Sequence, residues 1–149
     1  MWTWFCSTGL LVFLLDRITK YFVMTNMDLT ETIPIIRDFF HITYVKNPGA
    51  AFGMMQDKKW FFVFVTLVII GVIIYLVFTM GRQNRLLSLT LGLVTGGAAG
   101  NLADRLHSGL VIDFIDFRGI WPYIFNIADS AIVVGALLLA IQILRMEKA

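Results

Sequence analysis

The run from Trp60 to Met80 contains no charged residue. About 20 consecutive apolar residues suffice to cross the hydrocarbon core of a bilayer as a helix. Backbone polar groups in lipid must be bonded internally, so a membrane-spanning helix is the reading for this stretch. Three other runs have similar character. Trp2 to Met24 is apolar until Asp16, Arg17 and Lys20 interrupt it, Leu86 to Ala103 is rich in glycine, and Phe125 to Leu144 is the last. Four spans put both termini on one side. Arg82 and Arg85 in the turn between the second and third spans, with Arg145 and Lys148 in the tail, assign that side to the cytoplasm. Arg37, Lys46, Lys58 and Lys59 lie on the opposite side, so the charge bias is not one-sided.

The chain is 58% hydrophobic and 15% charged, against about half and a quarter in soluble domains. A net charge of +2 without any basic run argues against a nucleic-acid partner. Cys6 is the lone cysteine, which excludes an internal disulfide and a cysteine-based zinc site. It sits among Trp4, Phe5 and Leu10 and is expected to be buried and inert. The N-terminus lacks a basic stretch and no small-residue cleavage site follows, so the first span is expected to remain as an anchor.

Between the first two spans, Thr32 to Ile36 and Phe39 to Val45 are rich in β-branched and aromatic residues, and Asn47-Pro48-Gly49 marks a turn. A small sheet on the membrane surface fits, with Phe39, Phe40 and Phe52 dipping into the interface. The connection from Leu106 to Tyr123 offers a further strand at Leu110 to Ile112. The expected fold is an all-α polytopic membrane protein forming a single domain, 1–149. Its four transmembrane helices are expected near 2–24, 60–80, 86–103 and 125–144, with an extracytoplasmic β-rich lobe at 28–58.

Against this background the polar residues fall into clusters. Asp16 and Lys20 are four apart and share a helix face. They are either an interfacial pair reaching for headgroups or organisers of a site. Asn47 and its small neighbours make a turn, or a place where Asn47 bonds a substrate backbone approaching closely. Gly92, Gly96 and Gly100 recur every four residues and read as a helix-packing face. Asn101, Asp104 and Arg105 follow on one helical face. Asp113 sits in an apolar run, where desolvation favours its protonated form. Asn126, Asp129 and Ser130 share a face at the start of the fourth span, where a helix N-terminus favours a charged carboxylate. A membrane-boundary carboxylate is a functional-site hypothesis by default. Facing each other, Asp113 and Asp129 would supply an acid and a base at neutral pH. Asp116 reads as a solvated loop charge, and His41 and His107 as ordinary interfacial residues.

Taken in order, Asp16-Arg17-Ile18-Thr19-Lys20, Asn47-Pro48-Gly49-Ala50-Ala51-Phe52, Gly96 to Arg105, Val111-Ile112-Asp113-Phe114 and Phe125 to Ala131 resemble the bacterial lipoprotein signal peptidases (signal peptidase II). The likeness spans nearly the whole chain, with no departure where the family pattern needs a particular polar group. It implies an integral-membrane aspartic protease with Asp113 and Asp129 as catalytic dyad. Asp16, Lys20, Asn47, Gly49, Asn101, Asp104, Arg105 and Asn126 would support the dyad or hold substrate. Asp104 rivals Asp113 for a dyad position, but Arg105 beside it is expected to hold it ionised as a structural partner. The implied substrate is a prolipoprotein whose cysteine carries a diacylglyceryl group, cut just before that cysteine. No metal or organic cofactor is implied. The implied setting is the bacterial cytoplasmic (inner) membrane, among lipid, as a monomer, with the site near the outer face.

Two other readings compete. A metal-dependent lipid phosphotransferase would use Asp104, Asp113 and Asp116, although Gly109 to Asp113 reads as strand or loop rather than the helix such a site needs. A proton-coupled transporter would place carboxylates near mid-span, whereas these lie at or beyond span ends.

Overall fold

The computed structural model describes residues 2–49, 58–79 and 84–146. Within them lie helices α1 (Trp2–Asn26), α2 (Lys59–Thr79), α3 (Arg85–Ser108) and α4 (Ile127–Met146). Strands β1 (Thr32–Ile36), β2 (Phe40–Asn47) and β3 (Val111–Phe117) complete the order. Helices α2, α3 and α4 are long and apolar enough to cross a membrane. Helix α1 has the length but carries Asp16, Arg17 and Lys20 in its second half.

Helix α3 is the hub on which α1, α2 and α4 all pack. Its small residues make this possible. A methyl group on Gly92 would lie 2.7 Å from the Phe5 carbonyl oxygen of α1, so the two backbones meet only because no side chain intervenes. Gly96 continues that face against Gly9 and Val12, while Gly97 meets Ala128 and Ile132 of α4. Phe5, Ile73, Val77 and Leu91 close one core. The buried stripe of α1 runs Phe5, Val12, Asp16, Lys20 and Val23. Cys6 falls off that stripe and is exposed, contrary to the burial expected from its apolar neighbours.

Asn84 caps α3, its Oδ1 accepting from the Leu87 N–H at 3.1 Å. Gly109 ends it in the left-handed conformation (φ 80°), donating its N–H to the Arg105 carbonyl. That turn delivers β3 beside the helix end. The helix thus runs past 103 to Ser108 and carries Asn101, Asp104 and Arg105 within it.

The sheet order is β1-β2-β3, antiparallel throughout. Pro34 sits on the edge strand β1, where its missing N–H is tolerated. Strand β3 runs well beyond the Leu110 to Ile112 stretch and includes both Asp113 and Asp116. Ile112 and Phe114 pack with Val23 and Tyr44 on one face, and the two-residue strand period turns Asp113 to the other. Asp116 lies on the Ile112 face and is buried rather than solvated. Thr43 Oγ1 donates to it at 2.8 Å and Arg118 Nε at 3.1 Å. His41 is also buried, 5% exposed within the sheet. Helix α4 begins at Ile127 rather than 125, because Phe125 is still bonded to β3. Its carbonyl accepts from the N–H groups of Phe114 and Ile115, and its own N–H donates to the Ile115 carbonyl. Phe52 lies outside the described residues.

Candidate active site

Asp113 comes from β3 and Asp129 from the first turn of α4. Both line one cavity of about 1080 Å³, together with Asn47, Gly49, Asn101 and Arg105. Much of the remaining wall is apolar, with Phe117, Trp121, Ile132 and Val133 among its residues.

The start of α4 is built by a reciprocal cap. The Asp129 N–H donates to Asn126 Oδ1 at 2.8 Å, and the Asn126 N–H donates to Asp129 Oδ2 at 3.3 Å. This is a capping box with aspartate in the place of the usual glutamate. It leaves the Asn126 amide nitrogen pointing away from α4, where it donates to Asp113 Oδ1 at 2.6 Å. The same nitrogen lies 3.2 Å from Asn101 Oδ1 and 3.2 Å from the Ile112 carbonyl. Asn101 in turn donates to Asp129 Oδ1 at 2.7 Å. Asp113 therefore receives an amide N–H from Asn126 and Asp129 one from Asn101, and these two amides are bonded to each other. Asn47 completes the ring, donating to Asp113 Oδ2 at 3.0 Å while its own Oδ1 accepts from the Gly49 N–H at 2.9 Å.

Asp113 is 2% exposed. Burial pushes its carboxyl up to about 7, and the Asp129 charge pushes the same way. The donors on Asn47 and Asn126, and the Lys20 charge, pull against them. A carboxyl balanced near neutrality can hold a proton or give it up at little cost, which is what acid–base work requires.

Beneath the amides lies a buried ionic floor. Lys20 is wholly buried, its Nζ 2.9 Å from Asp16 Oδ2, 2.7 Å from Asp104 Oδ2 and 3.0 Å from Asn101 Oδ1. Asp16 and Lys20 are therefore turned inward beneath the cavity rather than outward to headgroups. Asp16 Oδ1 accepts from the Ala128 N–H at 3.1 Å, clasping the first turn of α4 from the far end of the sequence. Asp104 also pairs with Arg17 and accepts from the Ile112 N–H at 3.2 Å.

The counter-charge expected for Asp104 was its neighbour Arg105. The structure assigns that role to Lys20 and Arg17, because consecutive helical side chains do not face each other. Arg105 instead donates to the Gly49 carbonyl at 3.2 Å and to the Asn101 carbonyl at 3.5 Å. Its guanidinium stacks 5.0 Å from the Phe62 ring. Asp16, Lys20, Asn47, Gly49, Asn101, Asp104, Arg105, Asp113, Asn126 and Asp129 are thus all gathered at one place. Arg17, the Ala128 N–H and Gly100 are the participants the sequence reading left out. Arg17 had a signal, since a buried Asp104 requires more than one donor. Ser130 turns back to its own helix, donating to the Asn126 carbonyl. Among the described residues, no three His, Cys, Asp or Glu side chains are grouped to hold a metal ion.

The chain as a whole is similar to known proteins. Residues 8–145 match the family described as signal peptidase (SPase) II. The lipoprotein signal peptidase of Desulfitobacterium hafniense (strain DSM 10664 / DCB-2) is 50% identical over 93% of this chain and 91% of its own length. That of Shouchella clausii (strain KSM-K16) is 51% identical over 91% and 89% respectively. A solved bacterial membrane enzyme superposes with a TM-score of 0.90 at 33% identity, covering 95% of this chain and 87% of the other. By sequence along most of its length and by fold, the chain belongs to the signal peptidase II family.

Proposed function

We propose that this protein removes signal peptides from diacylglyceryl-modified prolipoproteins, cutting just before the modified cysteine, with Asp113 and Asp129 as its catalytic pair. Membership of the signal peptidase II family carries the peptidase activity and its prolipoprotein substrates. The observation that carries the chemistry is the pair itself: two carboxylates from separate elements, bridged by the Asn101 and Asn126 amides, on the wall of one largely apolar cavity.

One carboxylate, ionised, takes a proton from water as the water oxygen attacks the scissile carbonyl. The other, protonated, donates to the carbonyl oxygen. Collapse of the tetrahedral intermediate breaks the C–N bond, with the proton passed on to the leaving amine. Two close carboxylates do not readily ionise together, so they titrate as a coupled pair. The apolar walls suit a signal helix and acyl chains that never leave lipid.

In this reading α1 is a fourth span, its charged residues turned inward onto α3 and neutralised there. The whole chain is one domain, monomeric, in the cytoplasmic membrane. Its termini face the cytoplasm, and the sheet and catalytic pair lie at the outer face. Support for the membrane placement comes from the exposed apolar surfaces of α2 and α4, such as Phe64, Val72 and Tyr75, and Val133, Leu137 and Ile141.

The test is cleavage of a diacylglyceryl-modified prolipoprotein by purified protein in detergent. Wild type is expected to cut before the modified cysteine, and folded Asp113→Asn and Asp129→Asn to be inactive. Asp104→Asn, whose side chain is bonded to Lys20, Arg17 and the Ile112 N–H rather than to either carboxylate of the pair, is expected to retain residual activity. Cleavage by Asp113→Asn with none by Asp104→Asn would reassign the pair.

A further inference from the structure

Lys20 has no path to substrate, because its side chain is fully buried beneath the amides. Its cost there is large unless the charge is used. The Asn101 side chain shows the use. An amide can sit in two orientations that exchange its oxygen and nitrogen. In the one observed, Oδ1 accepts from Lys20 at 3.0 Å and from Asn126 at 3.2 Å, and Nδ2 donates to Asp129 at 2.7 Å. An ammonium group has three donors and no acceptor. A flipped Asn101 would press its NH₂ against that ammonium and turn its carbonyl toward Asp129. The Asn126 amide depends on the same choice, for its nitrogen has two hydrogens and three acceptors within reach, one of them Asn101 Oδ1.

We infer that Lys20 is a positioning residue that locks Asn101, and through it Asn126, so that each member of the catalytic pair always faces an amide N–H. Without that lock, a protonated Asp129 can donate into a flipped Asn101 carbonyl and keep its proton. The inference rests on Asp113 and Asp129 being the catalytic pair. The charged groups around them are Asp16, Arg17 and Lys20 from α1, Asp104 and Arg105 from α3, and Lys46 from β2 at the cavity edge. Lys20 holds the Asp113 carboxyl lower than it would otherwise stand. Its removal therefore moves the working range upward in pH.

The experiment is the pH profile of kcat and KM for wild type, Lys20→Arg and Lys20→Gln, alongside Asp113→Asn, on the lipid-modified substrate. Glutamine keeps polar company for Asp16 and Asp104 but offers Asn101 either a donor or an acceptor. Lys20→Gln should lose kcat by about 100-fold, the scale of misplaced acid–base groups, with KM nearly unchanged. Its bell-shaped profile should move up by about one pH unit, the size expected when a nearby opposite charge is lost. Arginine, also a donor without an acceptor, should recover part of kcat and keep the profile in place. A Lys20→Gln protein with an unmoved profile, losing activity only in proportion to its folded fraction by thermal melting, would overturn the role of Lys20 alone. Activity in Asp113→Asn would overturn the catalytic pair and this inference with it.

Discussion

Replacing Asp113 by asparagine should make the protein more stable at alkaline pH even as it abolishes activity. The carboxyl stands at about 7 in the folded protein against 3.8 for a free aspartate. At about 1.4 kcal/mol for each pH unit between those values, ionising Asp113 costs the folded state about 4 kcal/mol in full. The sign follows from proton binding. A raised folded-state value means the native protein binds the proton more tightly, so this group's contribution to stability is full below pH 3.8 and is lost as pH rises through 7. Of the total, about 2–3 kcal/mol develops between pH 5 and pH 8. Asparagine cannot ionise and escapes this loss. It incurs a pH-independent cost of its own, about 1–3 kcal/mol, because its NH₂ meets the donors of Asn47 or Asn126. Comparing the mutant–wild-type stability difference at the two pH values cancels that cost. Chemical or thermal unfolding in detergent at pH 5 and pH 8 is the assay. The Asp113→Asn protein should gain about 2–3 kcal/mol on wild type between them. An equal difference at both pH values would refute the raised value of Asp113.

Three further outcomes are expected. Gly100→Ala would put a methyl carbon 2.5 Å from Asp16 Oδ2 and 2.9 Å from its Cγ, beside the bonds to Lys20 and Ala128. It should cost about 1–3 kcal/mol in an unfolding measurement despite the better helix propensity of alanine, with a loss of kcat. Asn47→Ala removes an N–H that favours the charged form of Asp113, so the pH optimum of cleavage should move upward; a downward move contradicts the bond. Cleavage rates should be unchanged by a chelator, and dependence on added magnesium would restore the metal-enzyme reading.

The helices were legible because lipid imposes a length and an absence of charge that few other structures share, as in Trp60 to Met80. That these polar residues would gather was legible for a related reason: a carboxylate at a span end, such as Asp129, has no inexpensive place to go. The partners were harder. Asp104 and Arg105 are adjacent in sequence, yet helical geometry sends them to different neighbours, and Arg17 reaches Asp104 from another helix. Asp116 looked like a loop charge because its strand continues further than the apolar run that announces it. Cys6 looked buried because every sequence neighbour was apolar, but it falls off the face of α1 that packs inward and is exposed.

The bond between Asp16 and the Ala128 N–H joins residues 112 positions apart. Asp16 is therefore synthesised well before Asp113 and Asp129, and the amides bonded to them draw on α3 and the turn into α4. A chain interrupted before Asn101 therefore lacks both carboxylates and both of the amides that bridge them. The cluster closes only once the start of α4 has been made and Asp16 of α1 has taken hold of its first turn.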